Sequence, residues 1–122
     1  MHYKRVELKV TNQGIHEHKI FQGVKIFSRS KLSKDQKSIL TQKLYLTPKQ
    51  NIVYYQRTDV NYDQNWHHNK DYYELAYGQL DGETVFKVCQ DFDELNPFLE
   101  NELLEKLKEK QSAGKFFEKL DI

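Results

Sequence analysis

The sequence predicts an α+β fold: an antiparallel sheet or half-barrel of about six strands, with a C-terminal helix packed on one face. Three observations carry that expectation. Stretches up to about residue 90 alternate apolar and polar positions with the period of two that a strand with one buried face requires. Turn-forming clusters separate them: Asn12-Gln13-Gly14, Pro48-Lys49-Gln50-Asn51 and Asp81-Gly82. After Asn96-Pro97, leucines recur at helical spacing.

The first strand is read from Val6, Leu8 and Val10, which alternate with Arg5, Glu7, Lys9 and Thr11. Beyond the Asn12-Gln13-Gly14 turn, Ile20 to Phe27 forms the second. Its Val24 and Ile26 lie around Gly23, with Phe21 and Phe27 on the opposite face, so apolar groups on both sides point to a central position. Ser28 to Lys37 is polar and Lys-rich and reads as a connection. Ile39 to Thr47 and Ile52 to Thr58 flank the Pro48 turn as a hairpin. Asp59 to Asp71 is rich in Asn, Asp and His without apolar period, which makes it a long surface loop. Tyr73, Leu75 and Tyr77 alternate again, and the Asp81-Gly82 pair supports a tight hairpin into Thr84 to Cys89. Asn96 as N-cap and Pro97 as first helical residue then open a helix to about Lys110, with Leu99, Leu103, Leu104 and Leu107 on its buried side. Ser112-Ala113-Gly114 ends it. The organisation is one domain over 1–122, with the sheet over about 3–90, the helix over about 96–110 and a tail at 116–122.

The last five residues, Glu118-Lys119-Leu120-Asp121-Ile122, resemble the signature of a small bacterial family, the EXLDI proteins, named after that ending. The resemblance extends to Val85–Val88, to Asp91-Phe92-Asp93-Glu94-Leu95, and to Asn96-Pro97 with its Leu-rich helix. It is weaker in the Tyr- and Arg-rich strands before them. The family brings no settled activity. Longer members carry an N-terminal extension similar to a small DNA-binding segment, whereas this chain opens directly on its first strand.

Composition narrows the function classes. The chain has no apolar run of 18 residues, and Met1-His2-Tyr3-Lys4-Arg5 leads into an alternating strand rather than a signal-peptide core, so a cytoplasmic protein without membrane association is expected. A lone cysteine, Cys89, excludes an internal disulfide framework and a Cys-clustered zinc site. The formal charge of +1 conceals a split: residues 1–58 carry twelve Lys/Arg against Glu7, Glu17 and Asp35, and residues 59–122 carry seven against fifteen acids. Such a basic half can face a polyanion, or it can pair with the acidic half within the fold or across a homodimer.

Candidate chemistry is sparse. His16 and His18 would share one face of a strand, and His67, His68 and Asp71 could complete a metal shell, but no spacing rule joins the two groups, so neither metal nor cofactor is expected. Cys89 lies in an alternating strand, where a small half-buried thiol is ordinary, and Asp91, Asp93 and Glu94 suit a helix start. Nucleophile, P-loop, dinucleotide and metalloprotease motifs are absent. The leading expectation is therefore a non-enzymatic binding or regulatory module for a protein or small-molecule partner. Its binding residues would be Trp66, His67 and His68 in the long loop, with Glu118, Leu120, Asp121 and Ile122 in the tail. Phe116, Phe117, Leu120 and Ile122 are too apolar to stay solvated together, which favours a tail docked on the domain or on a dimer mate over a free address read by a partner. The alternative is nucleic-acid association through Lys19, Lys25, Arg29, Lys31, Lys34, Lys37, Lys43 and Arg57, with Tyr45, Tyr54 and Tyr55 as a stacking platform. A hydrolase built on Cys89 or a histidine is a third possibility.

Overall fold

The computed structural model describes residues 3–34, 36–61 and 82–113. These form one five-stranded antiparallel sheet in sequential order, curled into a half-barrel: β1 (Lys4–Asn12), β2 (Ile15–Leu32), β3 (Ser38–Leu46), β4 (Ile52–Val60) and β5 (Glu83–Cys89). A 3-10 turn, Phe92–Leu95, and one helix, α1 (Asn101–Ser112), follow. The alternating segments thus become strands as expected. The sixth, around Tyr73 to Tyr77, lies outside the described residues, as does the tail from residue 114. Asp59 and Val60, expected to open the long loop to Asp71, instead belong to β4, where they pair with Ile39 and Ser38; the loop from residue 62 lies outside the described residues.

Local chemistry explains the connections. Gln13 and Gly14 both take positive φ, 51° and 81°, and Asn12 pairs with Ile15 across them. That is the two-residue hairpin whose twist matches the strands it joins. β2 is much longer than the sequence pattern indicated. Ser28 to Leu32, expected to be a connection, continue the strand opposite Lys43 to Ile39, and the turn is confined to 33–37. Ser28, Ser30 and Lys31 are exposed, so this end has no apolar alternation to announce it.

β2 works as two strands in one. Ile15 to Gly23 pair with β1 and Val24 to Leu32 pair with β3, so the chain changes partners at Gly23. A Cβ there would sit 2.9 Å from the Phe21 ring and 3.3 Å from the Leu46 carbonyl oxygen, so a side chain would force the Phe21 ring to shift. Just beyond, the register shifts by one between Lys25 and Phe27, leaving Ile26 as a bulge. The bulge reverses the parity of all that follows. Phe27, expected opposite Val24 and Ile26, therefore packs against the same core as both of them.

The sheet has a core on each face. On one, Leu44, Leu46, Ile52, Tyr54 and Cys89 meet Phe92, Leu95, Leu99, Leu104 and Leu107. On the other, Tyr45, Val53 and Tyr55 meet Leu8 and Val10, because the β1–β2 hairpin folds over the sheet. Each such leucine, fully buried, favours the fold by about 1.5–3 kcal/mol. The curl brings β1 to β5, where polar side chains join them: Thr84 Oγ1 accepts from Thr11 N at 2.8 Å, and Glu83 Oε1 accepts from Gln13 N at 2.9 Å. Tyr55 adds a bond from its hydroxyl to the Lys9 carbonyl at 2.8 Å.

The helix starts later than Pro97. Asp91 and Glu94 form a reciprocal capping box, as their place before a helix suggested, but it opens the 3-10 turn, and Asn96 closes that turn instead of capping a helix. Glu100 is extended, with ψ 149°, and leads into α1, which runs on to Ser112. The 3-10 turn and the turns after it bring Phe92, Leu95 and Leu99 into the same core as Leu104 and Leu107. Leu103 is only partly buried; Leu104 and Leu107 are the helical residues that enter the core.

Candidate functional site

Of the residues expected to bind, Trp66, His67, His68, Glu118, Leu120, Asp121 and Ile122 lie outside the described residues. The basic set can be placed, and it does not form one surface. Arg29 and Lys31 share the α1 face of the sheet, since Arg29 stands opposite Gln42 in the register and Gln42 reaches Tyr54 and Phe98 on that face. Lys43 and Arg57 alternate onto the opposite face with Tyr55. Lys19 turns inward between Glu17, 3.0 Å away, and the Phe86 ring, 5.8 Å from its centroid. Arg57 holds Asp59 at 2.8 Å, which raises its pKa further above the ordinary arginine value. The aromatic platform divides in the same way: Tyr54 is buried beneath α1 and stacks on Phe98 at 4.8 Å, while Tyr45 and Tyr55 are buried in the other core. Burial raises the pKa of all three phenols.

Arg29 belongs to a polar network that nothing in the sequence pattern announced. Its Nε donates to Gln42 Oε1 at 2.7 Å, and its two terminal nitrogens grip Glu100. Gln42 Nε2 in turn donates to the Tyr54 hydroxyl at 2.9 Å and to the Phe98 carbonyl at 3.1 Å, and Tyr54 donates to Gln56. Gln42 is only 1% exposed, so these bonds offset the desolvation of its amide. Among the described residues no buried side-chain polar atom is left unsatisfied. The network fastens the start of α1 to β2, β3 and β4.

The histidines of β2 meet local partners. His16 Nδ1 lies 3.0 Å from Thr11 Oγ1 and His18 Nδ1 lies 3.1 Å from Glu7 Oε1. No cluster of three metal-ligating side chains occurs among the described residues. Cys89 is buried, and desolvation, with Glu94 nearby, raises its thiol pKa; a nucleophilic cysteine needs the opposite.

Two concave surfaces stand out among the described residues. The larger, about 550 Å³, lies at the β1–β2–β3 corner, where Lys4, Arg5 and Lys25 surround Tyr45. Glu7, also on its wall, lies 3.7 Å from Arg5. The other, about 360 Å³, is a groove between β2 and α1. Its floor is Ile26, Phe27, Leu103 and Leu107, and Lys106 and Lys110 rim it with Glu109. The bulge aims Ile26 and Phe27 at it, and positions 103, 106, 107 and 110 share one side of α1 by their spacing of three and four. Neither surface was read from the sequence. The spacing on α1 was visible, but the bulge that supplies the facing wall is not encoded by any local pattern.

Comparison with family models, with curated proteins and with solved structures finds no match for the chain. No helix among the described residues is long and apolar enough to cross a membrane.

Proposed function

We propose that this protein is a non-catalytic binding module whose recognition surface is the groove between β2 and α1, and that its occupant is a polypeptide segment with apolar side chains and acidic neighbours. The observation that carries the reading is the groove itself: an apolar floor with Lys106, Lys110 and Glu109 on its rim, built on a strand and a helix that the Arg29–Gln42–Glu100 network locks together. Apolar floor gives affinity, and the lysines select acidic flanks. Among the described residues, the Cys89 thiol is buried and the histidines of β2 face Thr11 and Glu7. The likeness to the EXLDI proteins through Glu118 to Ile122 brings no settled activity and leaves this reading unchanged.

The test is fluorescence anisotropy with labelled nonapeptides that alternate Leu, Ile or Phe with Asp or Glu. Wild type should bind in the micromolar range, and Lys106→Glu with Lys110→Glu should weaken binding about tenfold or more, roughly 1.4 kcal/mol. Peptides that bind equally well to both proteins would refute the groove. The corner cleft supports a second reading, association with a polyanion through Lys4, Arg5 and Lys25. That reading requires affinity that falls steeply with salt and is lost on changing those three residues.

A further inference from the structure

We propose that the cleft at the β1–β2–β3 corner is a second binding site, separate from the groove, for the phosphate group of a small phosphomonoester held by Lys4, Lys25 and the Tyr45 hydroxyl. Sheet register builds it. Lys4 stands opposite Gly23, Lys25 stands opposite Tyr45, and Gly23 and Lys25 are two apart on β2, so the two lysines flank a position without a side chain. Glycine keeps the floor bare there, since a Cβ would meet the Phe21 ring at 2.9 Å.

Three donors on the cleft wall are uncommitted among the described residues. Neither Lys4 nor Lys25 forms an ion pair with them, while the acid on the same wall, Glu7, is engaged by Arg5 at 3.7 Å and by His18 at 3.1 Å. Tyr45 is only 6% exposed, yet its hydroxyl has no hydrogen-bond partner among the described residues, whereas Tyr54 donates to Gln56 and Tyr55 to the Lys9 carbonyl. No buried side-chain polar atom in those residues is unsatisfied, so the Tyr45 hydroxyl is open to water, and the cleft is the opening that Tyr45 lines. Burial raises the pKa of this phenol, which keeps it protonated and able to donate.

These donors fit one chemistry. Two ammonium groups and a phenol O–H can give one bond to each terminal oxygen of a phosphomonoester, and the two lysines balance its dianion. A volume of about 550 Å³ is in the range of small-molecule sites and exceeds what a bare ion fills. A polymer fits less well. Glu7 lies between Arg5 and Lys9 on β1, so no unbroken basic track leads away from the cleft along that strand.

The test titrates the full, isotope-labelled chain with phenyl phosphate at physiological salt. Saturable amide shifts at Lys4, Gly23, Lys25 and Tyr45 are expected, with affinity that rises with pH through about 6, where the second phosphate proton leaves. Lys4→Gln and Lys25→Gln should each weaken binding about tenfold, the loss of one hydrogen bond to a charged group. Tyr45→Phe should weaken it about threefold or more at an unchanged melting temperature, because the hydroxyl bonds nothing else in the cleft. Shifts that do not saturate, or affinity untouched by the lysine variants or by Tyr45→Phe, would overturn the proposal. So would equal affinity for inorganic sulfate, the mark of an adventitious ion only. A single-stranded oligonucleotide that binds at these residues when phenyl phosphate does not would overturn it as well, and would assign the cleft to a polyanion.

Discussion

Arg29 and Glu100 meet as a two-pronged pair, with Arg29 Nη1 3.0 Å from Glu100 Oε2 and Nη2 bonded to Oε1, across 71 positions of sequence. The pair joins the far half of β2 to the residue on which α1 begins. It decides how an arginine that looked available for phosphate is spent: on positioning one wall of the groove against the other.

The Arg29 hydrogen bonds hold the Glu100 carboxyl below its ordinary 4.5, and backbone amides of Gln90 and Asp91 do the same for Glu94. A carboxylate whose folded pKa is depressed contributes stability above the unfolded value and loses it as pH falls through the folded one. Thermal stability should therefore fall below pH about 4.5, and Glu100→Gln should reduce that dependence. Because both partners are partly exposed, a double-mutant cycle of Arg29→Ala and Glu100→Ala should return a coupling of about 0.5–1 kcal/mol. A melting temperature indifferent to acid in wild type would contradict the pairing.

Leu104 is almost wholly buried among sheet and turn residues, whereas Leu103 lies at the floor of the groove. Leu104→Ala should cost about 2–5 kcal/mol in denaturant unfolding, by the usual large-to-small penalty. Leu103→Ala should cost clearly less and should weaken peptide binding instead. The reverse order would mean that α1 is rotated about its axis.

Thr84 supplies the hydroxyl that accepts the Thr11 amide, and both residues are buried at the seam between β1 and β5. Thr84→Val keeps the shape and leaves that N–H without its partner, at a cost of about 1–3 kcal/mol. Amide exchange at Thr11 should quicken more than at the Tyr54 amide in the middle of the sheet. Equal change at both sites would show that the seam does not depend on this hydroxyl.

Cys89 should be inert while the protein is folded, because its thiol is buried and its pKa is raised by desolvation. Reaction with an aromatic disulfide reagent at pH 8 should be slow and should keep pace with unfolding as denaturant is added. Rapid labelling under native conditions would reopen the hydrolase alternative.

How far the sequence could be read depends on the range of the interaction concerned. Strand identity and the turns after β1 and β3 follow from neighbours one to three positions apart, and Val6, Leu8 and Val10 or Asn12-Gln13-Gly14 reveal them directly. The capping acids Asp91 and Glu94 were equally legible. Where the reading failed, the deciding contact is distant. The exposed end of β2 is a strand because Ser28 to Leu32 pair with Ile39 to Lys43, and the bulge at Ile26 exists because two registers must be reconciled. α1 begins at Asn101 because Phe92, Leu95 and Leu99 all turn into one core and Glu100 is held by Arg29. For the same reason neither the groove nor the split of the basic residues between two faces could be seen: each is a product of sheet register. Gln42 carried no sign of its role, since glutamine in a strand is ordinarily a solvent-facing residue.

The most direct test of the binding reading is chemical-shift mapping of isotope-labelled protein titrated with an acidic–apolar nonapeptide. Saturable shifts at Ile26, Phe27, Leu103, Lys106, Leu107 and Lys110, absent in the Lys106→Glu, Lys110→Glu protein, are the predicted result. Shifts that avoid these residues, or that gather around Lys4, Arg5 and Lys25 and appear only with polyanions, would contradict it.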